Sequence, residues 1–117
     1  MDKVYEIALL MDFYGLLLTQ RQYEILDMHY NNDYSLAEIA EQLSISRQGV
    51  YDNIKRGKAL LVHMEEKLGL VEKFTQQKNK AGRILNNLRD IDTSSLCDKD
   101  IDNLKEVEKG IIEIIES

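Results

Sequence analysis

The sequence predicts an all-α fold, and three observations carry that prediction. Apolar residues recur at every third or fourth position along almost the whole chain, which marks one helix face after another. Proline is absent from the 117 residues, so nothing of that kind breaks the runs. Serine or threonine heads several of them, where a hydroxyl caps a helix by accepting a bond from an otherwise unpaired N–H. With 44% hydrophobic residues and few aromatics, the composition suits helices that each bury one face. The length allows one domain, or a small domain with an appendage.

Val4, Ile7, Ala8, Met11 and Tyr14 fall at helical spacing and predict a first helix over residues 3–14. Gly15 offers its end, and Leu16-Leu17-Leu18 must then form a buried connector. Thr19 caps a second helix carrying Tyr23, Ile25, Leu26, Met28 and His29, which stops at the turn-forming Asn31-Asn32-Asp33. Ser35 caps the third, and Glu38, three residues on, completes a capping box. Leu36, Ile39, Ala40 and Leu43 form the apolar face of that helix. Ser44-Ile45-Ser46 is too short for structure of its own and long enough to reverse a helix pair. Ser44 sits where glycine is commonest, which implies a left-handed conformation, or a slightly different turn. Ser46 caps a fourth helix with Val50 and Ile54 turned inward and Gly49 in its first turn. That helix runs on through Leu60, Leu61, Met64 and Leu68 to a stop at Gly69. Small Ala40 lies where the third and fourth helices cross. Helix, tight turn, helix is the layout of a DNA-binding helix-turn-helix, whose second helix lies in the major groove.

Beyond Gly69, a fifth helix spans roughly 70–90, with Val71, Phe74, Ala81, Ile84, Leu85 and Leu88 on one side. Asp92-Thr93-Ser94-Ser95 is the clearest break. A sixth helix over residues 98–116 repeats Ile101, Leu104, Val107 or Glu108, Ile111, Ile112 and Ile115. The expected organisation is a four-helix head over 1–69 and a C-terminal helical hairpin over 70–117, packed on the head or on a dimer partner. The isoleucines between 111 and 115 are more than one packing face needs, which points to a homodimer.

Charge is patterned. The net charge of −6 opposes indiscriminate nucleic-acid binding, which depends on cationic attraction to phosphate. Yet Arg47, Lys55, Arg56 and Lys58 stand against Asp52 alone in residues 46–58, and residues 73–89 hold five basic residues and no acid. Residues 90–117 carry nine acids against three lysines. Opposite charge on the last two helices favours an antiparallel pair, with the basic fifth helix complementing the acidic sixth more readily than touching RNA or DNA backbone.

Catalytic and metal chemistry find little footing. His29 and His63 have no nucleophile beside them, and Cys97 has no Cys or His at metal-ligand spacing. No glycine-rich phosphate loop exists, since Gly49, Gly57 and Gly82 are isolated. Asp98, Asp100 and Asp102 lack the Gly and final Glu of a calcium loop and suit a helix start. The expectation is a protein that is not an enzyme and uses no cofactor. No apolar run reaches the roughly 20 residues of a membrane span. The opening residues do not resemble a signal peptide, and one cysteine makes no internal disulfide, which fits a cytoplasmic protein.

The outward side of the fourth helix is the candidate site. With Val50 and Ile54 inward, Arg47, Gln48, Tyr51, Asp52, Lys55 and Lys58 point outward or flank that face. Arg and Gln make paired hydrogen bonds to guanine and adenine edges, whereas Lys55, Arg56 and Lys58 suit phosphate. Asp52 repels phosphate unless it reads a cytosine amino group or pairs with Lys55 or Arg56.

From Leu18-Thr19-Gln20-Arg21-Gln22-Tyr23-Glu24-Ile25-Leu26 through the helix-turn-helix to Leu60-Leu61, the chain resembles region 4 of bacterial sigma factors. Nothing in it resembles the region of a sigma factor that melts promoter DNA. Taken nearly whole, it is similar to the YlxM family of small Gram-positive proteins, related to helix-turn-helix regulators. That resemblance implies an association with the signal recognition particle pathway, through its genes or by contact with its GTPase, receptor or RNA. The expected function is a DNA-binding transcription regulator. The alternative is an accessory factor that keeps the fold, contacts signal recognition particle protein or RNA, and does not bind DNA.

Overall fold

The computed structural model describes residues 3–117, with side chains from Glu6 onward, so Val4 on the expected first apolar face lies outside the described side chains. Among the described residues there is no strand. The helices are α1 (Lys3–Tyr14), α2 (Gln20–Leu26), α3 (Leu36–Leu43), α4 (Arg47–Leu68), α5 (Leu70–Arg89) and α6 (Asp98–Glu116). They gather into two compact units, Met1–Val71 and Glu72–Ser117.

In the first unit α4 is the central member and packs against α1, α2 and α3. Val50, Ile54, Gly57 and Leu61 form its buried stripe. They meet Ile7, Leu10 and Met11 of α1, Ile25 and Leu26 of α2, and Ile39 and Ala40 of α3 in one core. Burying each large aliphatic side chain contributes roughly 1.5–3 kcal/mol. Gly57 is the point of closest approach. A Cβ there would lie 2.7 Å from Leu26 Cδ1, and Leu26 is itself fully buried, so the leucine would have to shift within the core.

The connector after α1 departs from expectation. Gly15–Leu17 forms a single 3-10 turn that leaves Leu16 fully exposed and Leu17 half exposed, and only Leu18 enters the core. Such a turn sends successive side chains about 120° apart, so three leucines in a row cannot share a face. Thr19 then closes a reciprocal cap with Gln22 at the start of α2. After Leu26 the helix widens into a π turn, Asp27–Asn31, and Tyr34 N–H closes it on the Met28 carbonyl at 3.0 Å. His29 Nδ1 lies 2.8 Å from the Tyr34 carbonyl oxygen. A carbonyl only accepts, so Nδ1 carries the proton in this bond.

The joint between α4 and α5 is one residue, Gly69, in the left-handed conformation (φ 62°). A polar latch surrounds it. The buried Tyr14 hydroxyl donates to Glu65 Oε1 at 2.6 Å and accepts from Leu70 N–H at 3.2 Å. Glu65 Oε1 also accepts from Val71 N–H at 3.0 Å. Two of the unpaired N–H groups that open α5 are thereby satisfied from α1 and α4. Burial, then the bond to Glu65, raises the Tyr14 phenol above its ordinary pKa.

In the second unit, Asp92 Oδ1 accepts from Ser94 N–H at 2.9 Å in the loop between α5 and α6, which holds its carboxyl below the usual range. Ala81 and Leu85 are buried, but Ile84 is exposed, because it lies about a quarter-turn from Leu85 at the rim of the inner face. On α6 the inward choice between positions 107 and 108 falls to Glu108. Val107 is exposed, while the Glu108 carboxylate reaches Arg89 Nε at 3.0 Å.

Two substitutions separate packing from helix propensity. Gly82→Ala meets nothing within 4 Å and should raise stability by about 0.5–1 kcal/mol. Gly57→Ala gains the same propensity but overpacks against Leu26, at a cost of roughly 1–3 kcal/mol, so it should be net destabilising. Denaturant unfolding of the two variants checks the opposite signs.

Tyr14→Phe should lower the melting midpoint at neutral pH. Its phenol holds the proton more tightly when folded than when unfolded, so the Tyr14 contribution is full below its ordinary value of 10.0 and fades as pH rises through and beyond it. The gap between wild-type and variant midpoints should therefore narrow above pH 10, read by thermal melts across an alkaline series.

Candidate nucleic-acid interface

The geometry of the α3–α4 pair follows from local chemistry at both caps. Ser35 Oγ accepts from Glu38 N–H and Glu38 Oε1 accepts from Ser35 N–H, both at 3.1 Å. Those bonds hold the Glu38 carboxyl below the usual carboxylate range. At the other end Ser44 is left-handed (φ 56°, ψ 43°). Ile45 N–H reaches back to the Ala40 carbonyl at 3.0 Å, and Ser44 N–H bonds the Glu41 carbonyl at 3.3 Å. This is a Schellman closure made with serine in place of glycine. Ser46 Oγ accepts from Gly49 N–H at 2.9 Å and starts α4 two residues later than the reversal.

From there the helical rotation distributes the side chains. Val50 and Ile54 are buried, and Arg47, Gln48, Tyr51, Lys55 and Arg56 are exposed. All five named outward positions lie in the first three turns of α4, next to the tight turn. Two members of the expected face are less free. Asp52 is half-buried and accepts from Gln48 Nε2 at 3.0 Å, one turn back, instead of pairing with Lys55 or Arg56. This pairing neutralises no charge, but it fixes the Gln48 amide. One N–H and the carbonyl oxygen of that amide remain, which is the donor–acceptor pair an adenine edge requires.

Lys58 is also half-buried, and its ammonium lies 5.8 Å from the centre of the Tyr30 ring. It lines a hollow with Glu6, Ile7, Leu10 and Val62, beside the core rather than with Lys55 and Arg56. Its position four residues after Ile54, near the inward stripe, accounts for this placement. Asn53 was not among the expected site residues. Its amide donates to the Gly49 carbonyl at 2.8 Å and stiffens the first turns of α4. Nothing in residue type alone separates such a back-bonded amide from an outward one.

A family model described as "Putative helix-turn-helix protein, YlxM / p13 like" (UPF0122) matches residues 1–107. A UPF0122 protein of Acetivibrio thermocellus is 68% identical over all 117 residues, which is the full length of both chains. One from Clostridium kluyveri is 45% identical over 113 residues, covering 96% of this chain and 97% of its own. Another, from Fusobacterium nucleatum, is 44% identical over 104 residues, 89% of this chain and 97% of its own. The match embraces the capped α3–α4 pair and the whole core around it, and the chain belongs to the YlxM / p13-like helix-turn-helix family.

Proposed function

We propose that this protein is a cytoplasmic regulatory protein that binds double-stranded DNA through α4. Residues 1–69 serve as the reading head and 70–117 as a separate helical hairpin. Arg47 and Gln48 read base edges, Tyr51 and Asp52 shape the centre of the contact, and Lys55 and Arg56 engage phosphate. Lys58 supports the flank through Tyr30. The observation that carries this reading is the exposure of Arg47, Gln48, Tyr51, Lys55 and Arg56 on the opening turns of a helix whose opposite side is locked in the core. A rigid helix presented in that way matches the entry of a recognition helix into the major groove. The proposal assigns no catalytic group.

A second reading keeps the fold as an accessory factor of the signal recognition particle pathway without DNA contact. The net charge of −6 and the carboxylate of Asp52 on the face favour it.

The two are separated by fluorescence anisotropy on duplexes enriched from genomic DNA, run across a salt series. Arg47→Ala should cost roughly 1–3 kcal/mol and relax sequence choice. Lys55→Ala should weaken all sequences alike and reduce the salt slope by about 1. No salt-dependent binding at low ionic strength would overturn the DNA reading in favour of the accessory factor.

A further inference from the structure

Residues 73–89 carry five basic side chains and no acid, in a chain that holds 21 acids, and the structure shows where they point. At about 100° per residue, Lys73, Gln76, Lys80, Arg83 and Asn87 fall within about 80° of one another on α5. All five are exposed. Their mean direction lies about 140° from that of the buried Ala81 and Leu85. Of the other two cations, Lys78 lies 4.4 Å from the centre of the Phe74 ring and Arg89 pairs with Glu108. Glu72 borders the row at its start and accepts from Gln76 Nε2 at 3.4 Å, and Asp90 follows the last residue of α5.

The expected charge pairing of α5 with α6 therefore stops at Arg89. The two helices meet through their other sides, where Leu88 shares a cleft with Ile101 and Leu104. On α6 the exposed Asp102, Glu106 and Glu113 lie about 150° from the half-buried side of Ile101, Leu104, Ile111, Ile112 and Ile115. Both charged sides thus face away from the contact and cannot reach each other across two helices. Among the described residues, Lys73, Lys80 and Arg83 pair with no carboxylate.

What remains outward is three cations with two amides among them, running about 15 Å from Lys73 to Arg83 at about 1.5 Å per residue. Lys, Arg, Gln and Asn all donate to phosphate oxygens. One strand of duplex DNA presents a phosphate about every 3.4 Å of axis, so this row faces about four of them. The acids of α6 do not cancel the attraction. Packed helices stand about 8–10 Å apart, which separates the two outer sides by roughly 20 Å. The Debye length at physiological salt is about 8 Å, so those far acids are screened. Affinity for DNA rests largely on neutralised phosphates, and the α4 face offers Lys55 and Arg56 for them in a chain of net charge −6.

We propose that the outward side of α5, from Lys73 to Asn87, is a second contact with duplex DNA, made to the phosphate backbone and indifferent to sequence. It rests on the DNA reading of α4 and supplies phosphate contacts that the head lacks.

The test is fluorescence anisotropy of the full chain on an enriched duplex and on an unrelated one, each across a salt series. The triple variant Lys73→Gln/Lys80→Gln/Arg83→Gln changes exposed side chains and should keep its helical circular dichroism. It should lose at least about tenfold in affinity for both duplexes and lower the salt slope by about 2–3, at roughly 0.9 per phosphate. Its preference for the enriched duplex should match wild type. The far-side variant Glu106→Gln/Glu113→Gln should leave the slope unchanged. A triple variant that binds DNA with the wild-type affinity and slope overturns the α5 contact and leaves the α4 reading standing. A slope that moves as far in the far-side variant assigns the effect to total charge and overturns the contact too. So does a loss confined to an RNA duplex of the same sequence. No salt-dependent DNA binding by the wild type overturns the α4 reading itself, and this contact with it.

Discussion

The close approach of α4 to α2 at Gly57 is the constraint on which the first unit depends. Leu26 fills the space a side chain would take, and Val50, Ile54 and Leu61 continue the same stripe into α1 and α3. A helix rotates as a rigid body, so fixing that stripe also fixes the direction of every other side chain on α4. Gln48, Tyr51 and Lys55 face outward because Val50, Ile54 and Gly57 have no alternative but to face inward. The packing of the core and the presentation of the candidate site are thus one geometric fact. A substitution that lets α4 turn by a single residue would redirect the exposed face without altering any residue on it.

Polar groups extend this rigidity to the helix ends. Tyr14 and Glu65 join the end of α1, the end of α4 and the opening N–H groups of α5 around one glycine. Ser35, Glu38 and Ser46 do the same for the α3–α4 reversal. In each case the bonds go to backbone groups that a helix end leaves unpaired. Within the first unit the caps hold the chain where it reverses between α3 and α4, and the apolar stripe holds α4 in between.

Features governed by neighbours along the chain were legible in the sequence. The caps at Thr19, Ser35 and Ser46, the left-handed Ser44, and the stop at Gly69 each depend on a few adjacent residues, and each was readable from them. The inward Val50 and Ile54 were readable from spacing, and with them the outward Arg47, Gln48, Tyr51 and Lys55. What spacing did not disclose depends on partners distant in sequence or on exact rotation. Gly57 looked like an isolated glycine because Leu26 stands in another helix. The run Leu16-Leu17-Leu18 looked buried because a 3-10 turn is not signalled by composition. Gln48 was readable as an outward amide, but its bond to Asp52 was one of several pairings open to that carboxylate. Lys58 was readable as a lysine on or flanking the outward face, but its place 5.8 Å from the centre of the Tyr30 ring depends on a segment distant in sequence.

The π turn at Asp27–Asn31 has a consequence for how this segment tolerates changes in length. A π turn holds one residue more than the α-helical turn it replaces, so the extra residue is absorbed inside the helix and not in a loop. Between Thr19 and Ser35 the chain therefore has a fixed count, although Asn31-Asn32-Asp33 reads as an ordinary surface connection. Deleting one residue there would restore a regular helix and swing everything after it by about 100°. His29 would leave the Tyr34 carbonyl, and Tyr30 would leave the Lys58 ammonium on α4. A gap that an alignment would place harmlessly among the asparagines would thus disconnect α2 from the helix pair it supports.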